Sequence, residues 1–208
     1  MAIVSAVETT RGMTRVYVDG RELCRLKQSF FKKLPLVEGQ AIDENEYLDR
    51  LSALQMPSAY EDALTLLDFS ARASGDMKKQ LIMKGYLEQV ADAVVERMKS
   101  NRLIDDESFA RRMVETAQNK PVGRYALGRK LRAKGAESIA VDQALALIDD
   151  DQQRASARIL AEKLLRKYAG DDRRQARAKL SQALARRGFS WDVISSALDG
   201  LFNGEEWD

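Results

Sequence analysis

The N-terminal part of the chain alternates between apolar and polar positions, whereas the remainder repeats its apolar positions at helical spacing. The stretch "TRVYVDGRELCRL" at 14–26 alternates on both sides of a central Asp-Gly pair, and this pair favours a two-residue hairpin loop. Such a loop predicts that Val16 lies opposite Leu23. A further strand is expected within residues 2–8. The pattern therefore predicts a small N-terminal β-hairpin.

Helical spacing begins in "AIDENEYLDRLSAL" at 41–54. Asp43 is the expected N-cap residue, because its carboxylate can accept a hydrogen bond from a backbone N–H of the first turn. Glu46, three residues later, fits the same helix start. The apolar side chains that share one face of this helix are Tyr47, Leu48, Leu51 and Leu54.

Pro57 is expected to end this helix, because proline removes a backbone donor and clashes with the preceding turn. Ser58 and Glu61 then form a capping-box pattern, which predicts that a new helix begins near Ala59. Beyond this point the whole chain has helical spacing, and glycines separate its segments at helix-sized intervals.

One five-residue motif occurs three times, as "LIMKG" at 81–85, "LRAKG" at 131–135 and "LARRG" at 184–188. A leucine-lined helix with a basic last turn, ended by a glycine in the left-handed conformation, accounts for this pattern. A phosphate-binding loop is the alternative, but the motif lacks a preceding strand and the GxxxxGK[ST] spacing. The motif therefore predicts the end of one helix, a tight turn and a second amphipathic helix.

An earlier helix is expected in each repeat, at about 59–73, 106–119 and 152–169, so that three repeats give nine helices. The predicted fold is mainly α, with three tandem three-helix repeats forming an elongated curved solenoid and a small N-terminal β-hairpin plus helix. The expected limits are 1–57 for the hairpin and first helix, 58–101, 102–149 and 150–203 for the three repeats, and 204–208 for an acidic tail.

The composition narrows the class of protein. Of the 208 residues, 45% are hydrophobic and 32% are charged, which is typical of a soluble helical protein. No apolar run reaches the roughly 18 residues of a membrane helix, and the N-terminus lacks the features of a signal peptide, so a cytoplasmic monomer is expected. The chain has no histidine, the commonest general base and a common metal ligand. We therefore expect neither an enzyme nor a bound cofactor.

Positive charge is concentrated in residues 111–187, which contain 19 Lys and Arg against nine Asp and Glu. This segment has a net charge of +10, whereas the whole chain carries only +2. Such a segment favours a polyanion or an acidic protein surface as partner. The alternative, a set of ordinary solvated helix faces, stays open.

The candidate contact residues lie on two predicted helices, 125–134 and 172–187, and next to them. Their side chains spread over a broad surface, which favours contact with phosphates or an acidic protein over the reading of bases. Arg124 and Arg177 share one repeat position, held by Ser74 in the first repeat, so a structural role at a helix contact is the alternative for both. The candidate residues are Arg124, Arg129, Lys130, Arg132, Lys134, Arg173, Arg174, Arg177, Lys179, Arg186 and Arg187.

Acidic clusters at 105–107 and 149–151, and the pair at 171–172, raise the alternative of a magnesium site. All of them fall at predicted helix junctions, where acids cap N-termini and complement the helix dipole, so capping is the favoured interpretation and no metal is expected. The single cysteine, Cys24, is interpreted as structural, although a reactive thiol beside Arg25 is conceivable.

The two tryptophans are interpreted differently. Trp191 lies just inside the last predicted helix and is expected in the core. Trp207 lies in the acidic tail "NGEEWD" and is expected to be exposed, where it could anchor a partner.

Two stretches of the second repeat, "RLIDDESFARRMVE" at 102–115 and "GRYALGRKLRAKGAESIAVDQAL" at 123–145, resemble the RecX family of regulators of the RecA recombinase. The segments at 63–86 and 176–198 are similar to the first and third repeats of that family. The residues that match its second-repeat pattern are Arg102, Leu103, Ile104, Asp105, Asp106, Phe109, Ala110, Leu131, Lys134 and Gly135.

This resemblance implies an all-helical body of three-helix repeats and a non-enzymatic protein. It implies binding in the helical groove of the RecA–DNA filament, restraint of recombinase, ATPase and coprotease activities, and weak direct binding to single- and double-stranded DNA. A general nucleic-acid-binding repeat protein is the second hypothesis, and a metal-dependent nuclease that uses the acidic clusters is the third. The first repeat has fewer basic residues, and its role in contacting a filament stays open.

Overall fold

The computed structural model describes residues 1–117, 120–168 and 170–202 of the chain. They form two compact units, one from Met1 to Asp105 and one from Asp106 onward. The predicted mainly α class is confirmed: ten α-helices accompany one small sheet in the described residues. None of these helices combines the length and the apolar character that crossing a bilayer requires.

The N-terminal sheet has four antiparallel strands in the order β3-β2-β1-β4. It confirms the predicted hairpin and the additional strand, whereas the short fourth strand had no signal in the alternating pattern. The strands are β1 (Ala2–Thr10), β2 (Met13–Val18), β3 (Arg21–Lys27) and β4 (Ala41–Ile42).

The expected pairing of Val16 with Leu23 is wrong, because Val16 lies opposite Cys24. A β-bulge next to Val16 inserts one extra residue into β3. Without the bulge, the side chains on the core side of β3 would be those of Arg25 and Lys27. With it, Cys24 and Leu26 point into the core and are 6% and 0% exposed.

A short helix α1 (Gln28–Phe31) follows the sheet, and the long helix α2 (Glu44–Phe69) begins after β4. The predicted N-cap is confirmed: the Asp43 carboxylate accepts hydrogen bonds from the backbone N–H groups of Asn45 and Glu46, at 2.9 and 3.1 Å. This carboxylate thus satisfies two donors that the helix itself leaves unpaired.

Pro57 does not end this helix, so the predicted helix end and the capping box at Ser58 are both wrong. Proline inside a helix costs about 3 kcal/mol. The buried side chains nevertheless continue at four-residue spacing across Pro57, which is itself exposed. Packing of this uninterrupted stripe holds the helix together, and the residues are Tyr47, Leu51, Gln55, Ala59 and Ala63.

The remaining helices agree in number and approximate position with the predicted repeats, the second half of α2 serving as the first helix of the first repeat. The predicted helix at 106–119 is described to residue 117, and the one at 152–169 ends as α-helix at 165, followed by a 3-10 turn (Arg166–Tyr168). The helices are α3 (Ser74–Met83), α4 (Glu88–Ser100), α5 (Asp106–Ala117), α6 (Arg124–Ala133), α7 (Ser138–Ala146), α8 (Asp150–Leu165), α9 (Arg173–Arg186) and α10 (Trp191–Phe202).

All three motif glycines end a helix in the left-handed conformation, as predicted, with φ of +87°, +77° and +83° at Gly85, Gly135 and Gly188. After each glycine, the next backbone N–H bonds to the carbonyl of the motif leucine five residues earlier, at 3.2 to 3.3 Å. The glycine N–H bonds to the carbonyl three residues earlier, so the two bonds form a Schellman motif. The phosphate-loop alternative is thereby excluded by the backbone geometry.

A buried polar side chain on α2 and another on α5 each hold the start of a repeat's third helix. On α2, Gln55, which precedes the first repeat, accepts a hydrogen bond from the backbone N–H of Leu87 at 2.8 Å. In the second repeat, Asp106 accepts from the N–H of Glu137 at 2.9 Å. Leu87 and Glu137 are the N-cap residues of α4 and α7, which have no capping side chain of their own.

The start of α6 is joined to the end of α9 by backbone hydrogen bonds within the second unit. The N–H groups of Gly123 and Tyr125 donate to the carbonyls of Arg187 and Gly188, at 2.9 and 3.0 Å. Between them, the N–H of Arg124 donates to the side-chain oxygen of Gln153 at 3.0 Å. We call these three bonds the α6–α9 junction. They connect the second and third repeats without any side-chain cap from α6 itself.

The α6–α9 junction requires glycine at position 123. A β-carbon there would overlap the carbonyl group of Gly188, although the backbone of Gly123 has an ordinary φ of −77°. We therefore expect Gly123→Ala to lower the free energy of unfolding by about 1–3 kcal/mol, because the backbones must move apart. Urea denaturation of both proteins measures this difference.

Gly170→Ala is the matched control, since a β-carbon at Gly170 meets no atom of the described residues within 4 Å apart from its chain neighbours. Its effect should stay within about 0.5 kcal/mol. Equal unfolding midpoints for Gly123→Ala and the parent would show that the close approach of the two backbones is not required.

Cys24 is buried, and burial together with the nearby Glu22 carboxylate raises the pKa of its thiol from 9.0 to about 12. The burial of Cys24 agrees with the structural interpretation, and the raised pKa keeps its thiol protonated at neutral pH. The folded state holds the proton more tightly than the unfolded state, so this group favours folding below pH 9 and loses that contribution as the pH rises toward 12.

At pH 8, a thiol reagent should label Cys24 only after urea is added, and rapid labelling of the native protein would contradict this burial.

Candidate basic interface

The candidate cations lie on α6, on α9 and at the residues that end these helices, as the sequence pattern predicted. The inner faces of these two helices are buried, with Leu127 and Leu131 on α6 and Leu180 and Leu184 on α9. The structure divides the cations into two groups, according to whether their side chains already have a partner.

Arg124 and Arg177, which share the repeat position, both form ion pairs between helices. Arg124 donates to the Asp150 carboxylate and to the carbonyl of Ile148, each at 2.7 Å. Arg177 donates to the Asp199 carboxylate at 2.6 Å. Both arginines thus make the contact between helices that the structural alternative for this position requires. The bond from Arg177 lowers the pKa of Asp199 and favours its charged form.

Three further candidates have partners within the second unit. Arg132 donates to Asp142 at 2.7 Å, and Lys179 donates to both oxygens of Asp171 at 2.8 Å. Arg173 donates to the carbonyl of Phe202, which lies at the end of the last helix. All three side chains are exposed. The charges of Arg132 and Lys179 are offset by carboxylates, and the guanidinium of Arg173 is already hydrogen-bonded.

The other six candidates are exposed, and their side chains form neither an ion pair nor a hydrogen bond with any part of the chain that the structure describes. We call this group the free cation set. Because their charges are not offset, these side chains can bind phosphate or carboxylate without first breaking an internal contact. The set comprises Arg129, Lys130, Lys134, Arg174, Arg186 and Arg187.

Sequence reasoning missed a second source of positive charge at the end of α8. Lys163, Arg166 and Lys167 are also exposed and lack a side-chain partner among the described residues. The run "EKLLRK" at 162–167 was a usable signal. This run lies outside the repeated glycine motif and the two helices that carry the candidate residues.

The first repeat holds its motif lysine differently. The carboxylate of Asp62 accepts hydrogen bonds from Lys84 and Lys27, both at 3.1 Å, and from the hydroxyl of Tyr86 at 2.6 Å. Burial opposes ionisation of Asp62, but these three hydrogen bonds outweigh it and lower its pKa. Lys84, the counterpart of Lys134 and Arg187, is therefore engaged within the first unit.

The acidic clusters are capping and pairing groups. Asp149 and Asp172 confirm the capping interpretation, since they accept from the N–H groups of Gln152 and Gln175 at 3.1 and 2.8 Å. Capping is the wrong assignment for Asp150 and Asp171, which pair with cations instead. In residues 1–117, 120–168 and 170–202, no group of three or more His, Cys, Asp or Glu side chains is placed to hold a metal ion.

The expectation that Trp191 is a core residue is wrong, because its side chain is 71% exposed. Helical spacing places it in line with the buried Ile194 and Leu198. As the first residue of α10, however, it lies at the open end of that face and lines a groove between α9 and α10. Trp207 and the acidic tail at 204–208 lie outside the described residues.

Three family models match successive parts of the chain. They describe the first, second and third three-helix domains of RecX, and they match residues 59–98, 105–145 and 150–198. The order and spacing of these matches follow the helices given above.

Curated relatives named regulatory protein RecX match most of the chain. The protein of Mycolicibacterium vanbaalenii is 36% identical over 65% of this chain and 79% of its own length. The proteins of Limosilactobacillus reuteri and Clostridioides difficile are 29% and 25% identical, covering 96% and 100% of this chain and 76% and 100% of their own lengths.

Solved structures agree with these relatives. A crystal structure of regulatory protein RecX is 27% identical, with a TM-score of 0.66 over 96% of this chain and all of that chain. RecX from Lactobacillus salivarius gives the same identity and TM-score over 72% of this chain and 97% of its own. With its three matched domains, its curated relatives and its structural neighbours, the chain belongs to the RecX family.

Proposed function

We propose that this chain is a non-enzymatic regulator that binds in the groove of the RecA–DNA filament and restrains its recombinase, ATPase and coprotease activities in DNA repair. Its relatives carry the name of a regulatory protein, which supports a regulatory role. The observation that carries the proposed mode of binding is the free cation set on the second and third repeats.

Electrostatic attraction supplies the binding energy in this proposal. A filament on DNA offers phosphates and acidic protein side chains, and six exposed cations without internal partners can contact either. Such contacts release counterions and depend little on base sequence. The partners are therefore the RecA filament and, more weakly, single- or double-stranded DNA, and the protein acts as a cytoplasmic monomer.

The engaged cations have a different role in this proposal. Arg124, Arg132, Arg173, Arg177 and Lys179 hold helices or loops in place, so replacing them would alter the fold as well as the surface charge. The free cation set is consequently the better target for testing the interface, because its loss leaves every described side-chain contact intact.

The triple variant Arg129→Gln, Lys130→Gln and Lys134→Gln should bind the filament more weakly while remaining folded. In low salt, we expect the concentration required for half-maximal restraint of RecA ATPase on single-stranded DNA to rise about tenfold or more. Titration of each protein into the RecA ATPase reaction measures this, and circular dichroism checks the fold.

The matched control removes three positive charges from the first unit, as Arg25→Gln, Lys32→Gln and Lys79→Gln. These side chains are also exposed and without a partner among the described residues. The control should restrain RecA as the parent does. A folded α6 triple variant that matches the parent, or a control that loses as much activity, would refute the proposed interface.

Salt gives a separate prediction for contact with DNA phosphates. Loss of three phosphate contacts should reduce the slope of log K against log salt by about 2 on single-stranded DNA. The difference between parent and triple variant should therefore shrink as salt is raised. Parallel salt dependences, measured by anisotropy of a labelled oligonucleotide, would show that these cations do not meet phosphates.

A further inference from the structure

The groove between α9 and α10 combines an exposed indole with an uncompensated guanidinium. It has a volume of about 400 Å³, and Trp191, Ala178, Gln182, Arg174 and Arg177 are among its lining residues. Arg177 is neutralised by Asp199, whereas Arg174 belongs to the free cation set. The groove thus offers a flat aromatic surface, an apolar floor and one available positive charge.

A second exposed aromatic residue lies at the start of α6, which the α6–α9 junction joins to the end of α9. The backbone N–H of Tyr125 donates to the carbonyl of Gly188, which precedes Trp191 by three residues, and the Tyr125 side chain is 60% exposed. Three residues span at most about 11 Å of chain. The α6–α9 junction therefore places the backbones of two residues with exposed rings, from different repeats, within one region of the second unit.

Exposed aromatic rings among free arginines are the arrangement that single-stranded nucleic acids recognise. Unpaired bases stack on aromatic side chains whatever their sequence, and cations follow the phosphates. Paired bases are already stacked within the duplex and cannot cover the indole in this way. The side chain of Trp191 is 71% exposed, and the buried face of α10 is formed by Val193, Ile194, Ala197, Leu198 and Phe202.

We infer that the α9–α10 groove binds an unpaired base of single-stranded nucleic acid, stacked on Trp191 with its phosphate near Arg174. Asp192 follows Trp191 and carries the opposing charge, so the phosphates are expected on the Arg174 side of the ring. This site refines the proposed function, because the free cation set would supply the remaining phosphate contacts. It adds a preference for unpaired over paired strands that charge alone does not give.

Oligothymidylate of about 16 nucleotides is a suitable probe, compared with an abasic oligonucleotide of equal length and charge. Trp191→Ala should weaken binding of the oligothymidylate by about tenfold and leave binding of the abasic strand unchanged. Trp191→Phe, which keeps a ring, should restore most of the affinity. Ile139→Ala removes an apolar side chain that is 72% exposed outside the groove, and it should have no effect.

Fluorescence reports on the same contact directly. In a Trp207→Phe background, Trp191 is the one remaining tryptophan. Its emission should be quenched by the oligothymidylate and should change little with the abasic strand. Equal quenching by both strands would overturn the stacking site, as would unchanged oligothymidylate affinity in a folded Trp191→Ala variant.

The outcomes also separate this site from the proposed function. A parent that shows the base-dependent quenching but does not restrain RecA keeps the site and refutes the regulatory role. A Trp191→Ala variant that binds oligothymidylate normally but loses RecA filaments shows instead that the groove receives a protein side chain, and this result refutes the nucleic-acid site.

Discussion

The second unit depends on the close approach of two glycine backbones at the α6–α9 junction. The start of a helix leaves N–H groups without partners, and the end of a helix leaves carbonyls without partners. At Gly123 and Gly188 these two sets satisfy each other directly, and the opposite ends of the two helix dipoles meet. Any side chain at Gly123 would separate them. The junction thereby fixes the relative position of the two helices that carry the free cation set.

The same helix stop is used differently in the first unit. At Gly85, the neighbouring structure is the N-terminal sheet, and a β-carbon would lie 2.9 Å from the backbone nitrogen of Lys27. Lys27 at the end of the sheet and the motif lysine Lys84 both bind Asp62 on α2. The sheet thus packs against the first helix stop, at Gly85, whereas the start of α6 in the second repeat packs against the third helix stop, at Gly188. The pairing of Lys84 with Asp62 means that the first repeat's counterpart of Lys134 and Arg187 is not a free cation.

Features set by local backbone chemistry could be predicted from the sequence. The three glycine stops, the Asp43 cap and the Asp149 cap each depend on a few neighbouring residues. The continuation of α2 through Pro57 could not be predicted, because the residues that pack against α2 come from distant parts of the first unit. Likewise, the ion pairs of Arg124 and Arg177 join residues that are 26 and 22 positions apart in the sequence. Helical periodicity alone predicts that Trp191 lies in the core, whereas its side chain is exposed. The positions of the candidate cations on α6 and α9 could therefore be predicted, whereas their division into free and engaged cations required the structure.

The central claim is that the free cations of the second and third repeats contact the RecA–DNA filament. Acetylation footprinting tests this claim without any substitution in the sequence. The reactivity of each lysine amine is measured by mass spectrometry, with and without RecA filaments on single-stranded DNA. The account predicts strong protection of Lys130 and Lys134 and unchanged reactivity of the equally exposed Lys32 and Lys79. Protection of Lys32 and Lys79 with full reactivity at Lys130 and Lys134 would contradict it.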